Sequence, residues 1–185
     1  MLARKGESSV MSITTKRGDE GTTDLLFGGK SSKTAPQVEA LGEVDELNAV
    51  LGLARVAMDG EAAEVIDQIQ KWLVTLMGEL AMSEGKDEAY EKAGFGRITE
   101  KEIEWVENLS GGIEGDRKFE GWLRPGETGG ELAARLHLAR TVARRAERSA
   151  WKVSEKVATR ELRIFLNRLS DAFWLIARKS EEALG

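Results

Sequence analysis

The sequence predicts an all-α fold, five helices packed as an up-and-down bundle, and three observations lead there. Glycine and proline are unevenly placed: of 20 glycines and 2 prolines in 185 residues, none lies between Glu131 and Leu184. That stretch lacks the two residues that most penalise a helix. Apolar residues recur at spacings of three and four through several separate segments, the period of a helix with one buried face. No segment alternates with a period of two, so no sheet is expected. Hydrophobic residues make up 41% of the chain and charged residues 32%, which allows one core and one domain.

The elements follow in order. Residues 1–34 show no sustained period and are rich in Gly, Ser, Thr and Lys. Residues 1–11 are expected to be a disordered extension, and 12–185 a single helical-bundle domain. Pro36 suits the first turn of a helix, where its missing N–H costs nothing. Val38, Leu41, Val44, Leu47, Leu51 and Ala54 then carry the helical period, and this helix should end near Gly60. A second helix presents Val65, Ile66, Ile69, Trp72, Leu73, Leu76, Met77 and Leu80 on one broad face and fades at Gly85. Residues 85–98 are polar and broken by glycine. Thr99 with Glu102 has the form of a capping box, opening a third helix from Glu100 to Leu109. Residues 110–128 are again loop, holding Gly111, Gly112, Gly115, Gly121, Pro125 and Gly126. The fourth helix should run from about Gly130 to Val153 and the fifth from about Ala158 to Leu184. Leu162, Phe165, Leu166, Leu169, Phe173 and Ile176 form the apolar stripe of the last.

Composition excludes several chemistries. With no cysteine there is no disulfide frame, thiol nucleophile, Cys-based zinc site or iron–sulfur cluster. The single histidine, His137, cannot supply a multi-His metal site. No run reaches the 18 apolar residues that suggest a membrane helix, and Met1 to Lys16 has no apolar segment of a secretory signal. A cytoplasmic protein is expected. The net charge of −5 divides into −10 over residues 1–130 and +5 over 131–185. The acidic whole argues against general nucleic-acid binding. The basic final third suits a local anionic ligand or helices docked on acidic neighbours.

Four clusters could carry chemistry. Thr14 to Thr23, followed by Gly28 to Lys33, combines glycines with Lys and Thr. Converging backbone N–H groups, ammonium and hydroxyl donors could cradle phosphate, or the segment is a flexible polar arm. It is not a Walker loop, because the position of that motif's first glycine is Asp24. On the fourth helix, Arg140, Arg144 and Arg148 recur every four residues, with Glu147 beside them and Arg145 adjacent. A solvated charged face is one reading. An anion site is the other, since arginine's planar fork suits phosphate and carboxylate. Ala139, Val142, Ala143, Ala146 and Ala150 supply a separate small-residue face. On the last helix, Arg163, Asn167, Ser170, Asp171 and Trp174 form a polar stripe, suited to helix-to-helix hydrogen bonds or to reading a base or ribose. On the first helix, Asp45 sits with Glu46 and Asn48 at the edge of the apolar face. An unpaired carboxylate buried there would cost several kcal/mol, so an arginine partner on the fourth helix is expected. His137 reads as a satisfied packing residue, and Trp122 as a loop anchor.

Taken together, these segments resemble one family. Thr15-Lys16-Arg17-Gly18-Asp19-Glu20-Gly21-Thr22-Thr23, Ser32-Lys33, and Glu39 to Asn48 resemble the PduO-type ATP:cob(I)alamin adenosyltransferases. So do Leu136 to Arg148 and Phe165 to Asp171. The resemblance runs from about Ser12 to the end, through four motifs in family order. It implies a ferritin-like homotrimer of five-helix bundles with ATP sites between subunits. Thr15, Lys16, Gly18, Thr23, Asp24 and Lys33 would line the triphosphate loop, and Arg144, Arg145, Glu147, Arg148 and Asn167 the helix side. Asp45 and Arg140 match a family pair linking neighbouring subunits beside the site; with Arg144 they are the implied catalytic group. Trp122 would stand on the cobalamin side, where the family commonly has Phe, favouring a four-coordinate Co(II) that is easier to reduce.

The resemblance further implies that Co(I) of cobalamin attacks C5′ of ATP, with Mg²⁺ on the phosphates and no certain protein ligand to the metal. An external reductase would supply Co(I), and an adenosylcobalamin-dependent enzyme would receive the product. A non-catalytic ATP- or cobalamin-binding scaffold, and a purely structural bundle, are the competing readings.

Overall fold

The structure is a computed structural model and describes residues 14, 16–119 and 124–184. Its elements are a hairpin, β1 (Thr22–Asp24) and β2 (Lys30–Ser32), then α1 (Pro36–Arg55), α2 (Gly60–Ala81), α3 (Asp87–Lys92), α4 (Glu100–Glu114), α5 (Gly130–Ala150) and α6 (Arg160–Leu184). The five long helices match the five expected from periodicity. α3 is an addition, six residues too short to show a period. The small antiparallel sheet corrects the expectation of none; it pairs Thr22 with Ser32, Thr23 with Ser31 and Asp24 with Lys30. Three-residue strands of mostly polar residues leave no alternation to read.

Local rules explain the helix boundaries. Pro36 stands at the start of α1. At α4 the Glu102 carboxylate accepts from the Thr99 backbone N–H (2.9 Å) and hydroxyl (2.6 Å), closing the expected box. α4 continues past Leu109 through Gly111 and Gly112 to Glu114, because Ile113 is buried and repays the continuation. α5 ends at Ala150 rather than Val153. Just beyond, the buried Arg163 of α6 donates to Ala150 O (3.4 Å) and Val153 O (2.8 Å), satisfying carbonyls that the helix end leaves open. Trp151, 58% exposed, lies over that guanidinium at 4.7 Å.

α5 is the centre of the bundle, packing on both α1 and α6; α2 packs on α1, and α4 on α6. Its small-residue face explains how: Ala139, Val142, Ala143, Ala146 and Ala150 are all buried, letting two helix axes approach. Leu47, Leu51, Leu73, Leu76, Leu162, Phe165, Leu169 and Phe173 fill the core with no exposed surface. Each contributes roughly 1.5–3 kcal/mol by leaving water. Edge-on contacts of Trp72 with Trp105 (4.8 Å) and Phe165 (6.0 Å) close the bundle between α2, α4 and α6.

The hairpin is tied to the far end of α2. Leu26 N–H donates to Ala81 O (2.8 Å), Ser83 N–H to Leu26 O (3.2 Å), and the Ser83 hydroxyl to Gly28 O (2.8 Å). Phe27 meets Tyr90 and Phe95 edge-on at about 6 Å, so α3 and its flanks form the seat of the hairpin. Beneath them Glu79 is wholly buried. It accepts from Ile98 N–H (2.7 Å) and lies 3.7 Å from Arg97. Burial pushes its carboxyl up to about 7, against the opposing pull of the Ile98 N–H and Arg97.

Candidate functional site

Two groups of candidate residues occupy separate elements. The first is the turn leading into the hairpin. Lys16 has a left-handed backbone (φ 58°), and Lys33 N–H donates to Gly21 O (2.9 Å), closing the turn on itself. A Cβ at Gly18 would stand 2.8 Å from the Lys33 ammonium, so the bare face of this glycine is where Lys33 rests. Lys16 and Asp24 line an open cleft with Arg17, Asp19, Glu20 and Lys30. Arg17 and Asp24 are 3.8 Å apart, both largely exposed. Thr23 is half-buried in β1. Thr15 lies outside the described residues.

The second group is carried by α5 and α6. Arg144 and Arg148 are exposed one turn apart, with neither a hydrogen bond nor an ion pair among the described residues. One turn earlier, Arg140 is half-buried and its Nε is buried without a partner. Glu147 and Asn167 meet across the α5–α6 contact, Asn167 Nδ2 donating to Glu147 Oε1 at 3.4 Å. Asn167 Oδ1 accepts from Arg168 (2.8 Å), which also holds Glu107 of α4 (2.6 Å). The Glu147–Asn167 pair is therefore braced from three helices while its outer face stays half-exposed.

The expected partner of Asp45 needs correction. Asp45 is exposed, so the burial cost that would demand an arginine is not incurred within one chain. The arginine contact on α1 falls instead to its neighbours: Arg145 donates to Glu43 and to Glu46. These two bonds raise the Arg145 guanidinium further above its ordinary value and fix α5 on α1. In the sequence, Glu43 and Glu46 three residues apart signalled that face, but nothing distinguished them from Asp45. Arg163, read as part of a polar stripe, is buried as the cap of α5. His137 is a packing residue, 6% exposed, with Nε2 3.1 Å from Glu181, but it is satisfied only in part, because its Nδ1 is buried without a partner. Trp122 lies outside the described residues.

Among the described residues the two groups stand on different elements: the hairpin docks on α2, while the arginines stand on α5. Asn48 Oδ1 on α1, like Arg140 Nε, is buried without a partner. Neither cluster gathers three acidic or histidine side chains able to hold a metal among the described residues.

Residues 13–180 match the family model described as cobalamin adenosyltransferase. The chain belongs to the cobalamin adenosyltransferase family. Over 177 residues it is 38% identical to the corrinoid adenosyltransferase PduO of Citrobacter freundii, covering 92% of this chain and 50% of that protein. The chain thus spans about half the length of the PduO relatives it matches. It is 36% identical to the corrinoid adenosyltransferase of Bacillus subtilis over 178 residues, covering 91% of this chain and 86% of that one. Among solved structures, a variant PduO-type ATP:corrinoid adenosyltransferase from Lactobacillus reuteri, complexed with cobalamin and ATP, superimposes with a TM-score of 0.78. That match is 31% identical and covers 94% of this chain and 97% of the other. Within this family fold, the hairpin turn and the α5–α6 arginine face are polar assemblies that the packed core does not explain.

Proposed function

We propose that this protein transfers the 5′-deoxyadenosyl group of ATP to the cobalt of cob(I)alamin, releasing triphosphate. The observation that carries the reading is the pair Arg144 and Arg148. They stand exposed on a rigid helix, with no partner among the described residues, beside the braced Glu147–Asn167 pair, in a chain of this family. Two arginines one turn apart on α5 suit an anionic ligand; an arginine used only for packing would be partnered, as Arg163 is.

The chemistry needs few protein groups. Two electrons of Co(I) form the bond to C5′ as the C5′–O5′ bond breaks, and that bond's electron pair leaves on triphosphate. Co(I) is already a strong nucleophile, so no Ser, Cys or general base is required. The protein's tasks are to hold C5′ toward cobalt and to stabilise charge growing on the leaving group. Lys16, Lys33, Thr15, Thr23 and the N–H groups around Gly18 would hold the triphosphate, with Asp24 at the edge of the loop. Arg144, Arg145 and Arg148 would face it from the helix side, and Asn167 with Glu147 would orient the nucleoside. Arg145 enters that role already neutralised by Glu43 and Glu46, which leaves Arg144 and Arg148 as the principal cations. Mg²⁺ is proposed to arrive on the phosphates.

The separation of hairpin and arginine face within one chain supports a site completed by a second copy. A homotrimer is proposed, with Asp45 of one subunit meeting Arg140 of the next. The exposed Asp45 and the orphaned Arg140 Nε favour that arrangement. An external reductase and an adenosylcobalamin-dependent acceptor enzyme are proposed as partners, and the cytoplasm as the location. No helix among the described residues is long and apolar enough to cross a membrane.

The test is anaerobic turnover of the purified chain with ATP, Mg²⁺ and chemically reduced cobalamin. Adenosylcobalamin and triphosphate in equal amounts are expected. ATP binding without any adenosylated product would overturn the reading in favour of a scaffold.

A further inference from the structure

The turn between β1 and β2 is held in a conformation that one of its residues resists. Phe27 has a left-handed backbone (φ 65°), and Gly28 (φ 88°) and Gly29 (φ 139°) follow it. Glycine takes such angles freely, whereas a residue with a Cβ is strained there. A third glycine would relieve the turn, so the strain points to a use for the Phe27 ring.

The ring has a built seat. It meets Tyr90 at 6.1 Å and Phe95 at 6.0 Å, both edge-on, and those two rings stack on each other at 5.0 Å. Tyr90 is wholly buried, and its hydroxyl donates to Gly96 O (3.0 Å). The Arg97 guanidinium lies 5.0 Å from the centre of the Tyr90 ring and donates to Asp87 of α3 (2.8 Å). Gly78 of α2 makes room from the other side: a Cβ there would stand 2.8 Å from the Tyr90 hydroxyl oxygen. Glycine inside a helix weakens it, so this is a second local penalty accepted for the same seat. Seat and polar turn also adjoin. Phe27, Phe95 and Ala81 line a hollow beside the hairpin, and Arg17 and Asp24 border both that hollow and the open cleft of Lys16 and Lys30. The hairpin adds little to the core, since its strands are three polar residues each. Two unfavourable residues in the service of so small an element are explained by where it must stand, not by what it buries.

We propose that Phe27 is a positioning residue for ATP: its ring, seated on Tyr90 and Phe95, fixes the hairpin so that Thr23, Asp24 and Lys33 stand in place for the triphosphate. The inference rests on the adenosyltransferase reading, which puts the triphosphate on that turn. Phe27→Gly removes the ring together with the backbone strain. Gly78→Ala improves the helix and pushes on the Tyr90 hydroxyl. Tyr90→Phe removes the oxygen that the new methyl would strike, so the Gly78→Ala/Tyr90→Phe pair should be relieved.

The three single variants and the pair are to be assayed for KM with ATP and with cobalamin separately, for ATP dissociation by calorimetric titration, and for hydrogen exchange of residues 22–32. Phe27→Gly and Gly78→Ala should each raise the ATP KM and dissociation constant about tenfold or more, since small misplacements of binding groups are costly. Exchange in residues 22–32 should quicken, with the cobalamin KM unchanged. The pair should return to the values of Tyr90→Phe alone. Unchanged ATP binding in Phe27→Gly, equal changes in both KM values, or no recovery in the pair would overturn the proposal. Should Phe27→Gly lose its helical circular dichroism, the comparison of Gly78→Ala with the pair, which leaves the hairpin sequence intact, decides. Failure of the adenosyltransferase reading shows separately, as a wild type that binds ATP without turnover; calorimetry and exchange then still decide whether the ring holds the hairpin for ATP. A wild type that binds no ATP overturns the proposal itself.

Discussion

Arg163 and Arg144 stand on adjoining helices and illustrate how context divides one residue type. Arg163 is 6% exposed and spends its donors on the carbonyls of Ala150 and Val153. Arg144 is exposed and holds none of the hydrogen bonds or ion pairs described. Arg144→Ala should therefore leave helicity and melting temperature near wild type. It should lower kcat by about 100- to 1,000-fold, the usual effect of removing one donor to developing charge. Circular dichroism and single-turnover absorbance of the corrinoid check the two halves of that statement. Glu79 belongs to the other class, a buried group that titrates. Its carboxyl is raised from 4.5 to about 7, so between those values the folded state holds a proton that the unfolded chain releases. Stability from this group is full below pH 4.5, falls as pH rises to about 7 and is level above. Glu79→Gln has no such titration. Its melting temperature relative to wild type should rise across that window, equivalent to at most roughly 3 kcal/mol. A constant difference from pH 4.5 to 8 would contradict the assignment.

At the scale of elements, the long helices were legible because each buries one continuous stripe, and the burial needed to form it is written as spacing. Pro36, Thr99 and Glu102 marked starts for equally local reasons. The hairpin was not legible, because what holds it is long-range: Leu26 to Ala81, Ser83 to Gly28, and Phe27 against Tyr90 and Phe95. Three-residue strands have no face of their own to bury. The boundary of α4 was misread for the same reason, since the buried Ile113 outweighs two helix glycines. Among the site residues, the composition of the turn and the four-residue arginine spacing could be read directly. The choice of Arg145 for Glu43 and Glu46 could not, because three carboxylates within four residues look alike until α5 is laid on α1. The turn offers its own test. Gly18→Val would place its new side chain where the Lys33 ammonium rests, at the flexible end of that chain rather than against backbone. The fold should survive and the ATP dissociation constant rise about tenfold or more, as for a lost charge-assisted hydrogen bond; calorimetric titration measures it.

For the whole molecule, the polar groups that one chain leaves unsettled bear on its assembly. Asn48 Oδ1 and Arg140 Nε are buried without partners, Asp45 is exposed, and Leu53, Val56, Val74 and Leu138 are large apolar side chains in solvent. Sedimentation equilibrium should give three times the 20.3 kDa chain mass, and Asp45→Arg, which sets like charges against Arg140 of a neighbour, should give a smaller species. A monomeric wild type would refute the shared site. Trp72 and Trp105 are half-buried and packed edge to face, so both should emit to the blue of the exposed Trp151. Trp151 stands 58% exposed on the Arg163 guanidinium, at the end of the helix that carries Arg144 and Arg148, and should supply the red edge of the spectrum. Quenching confined to that red edge would follow nucleotide arrival in the unmodified protein, with no dye attached and no residue replaced.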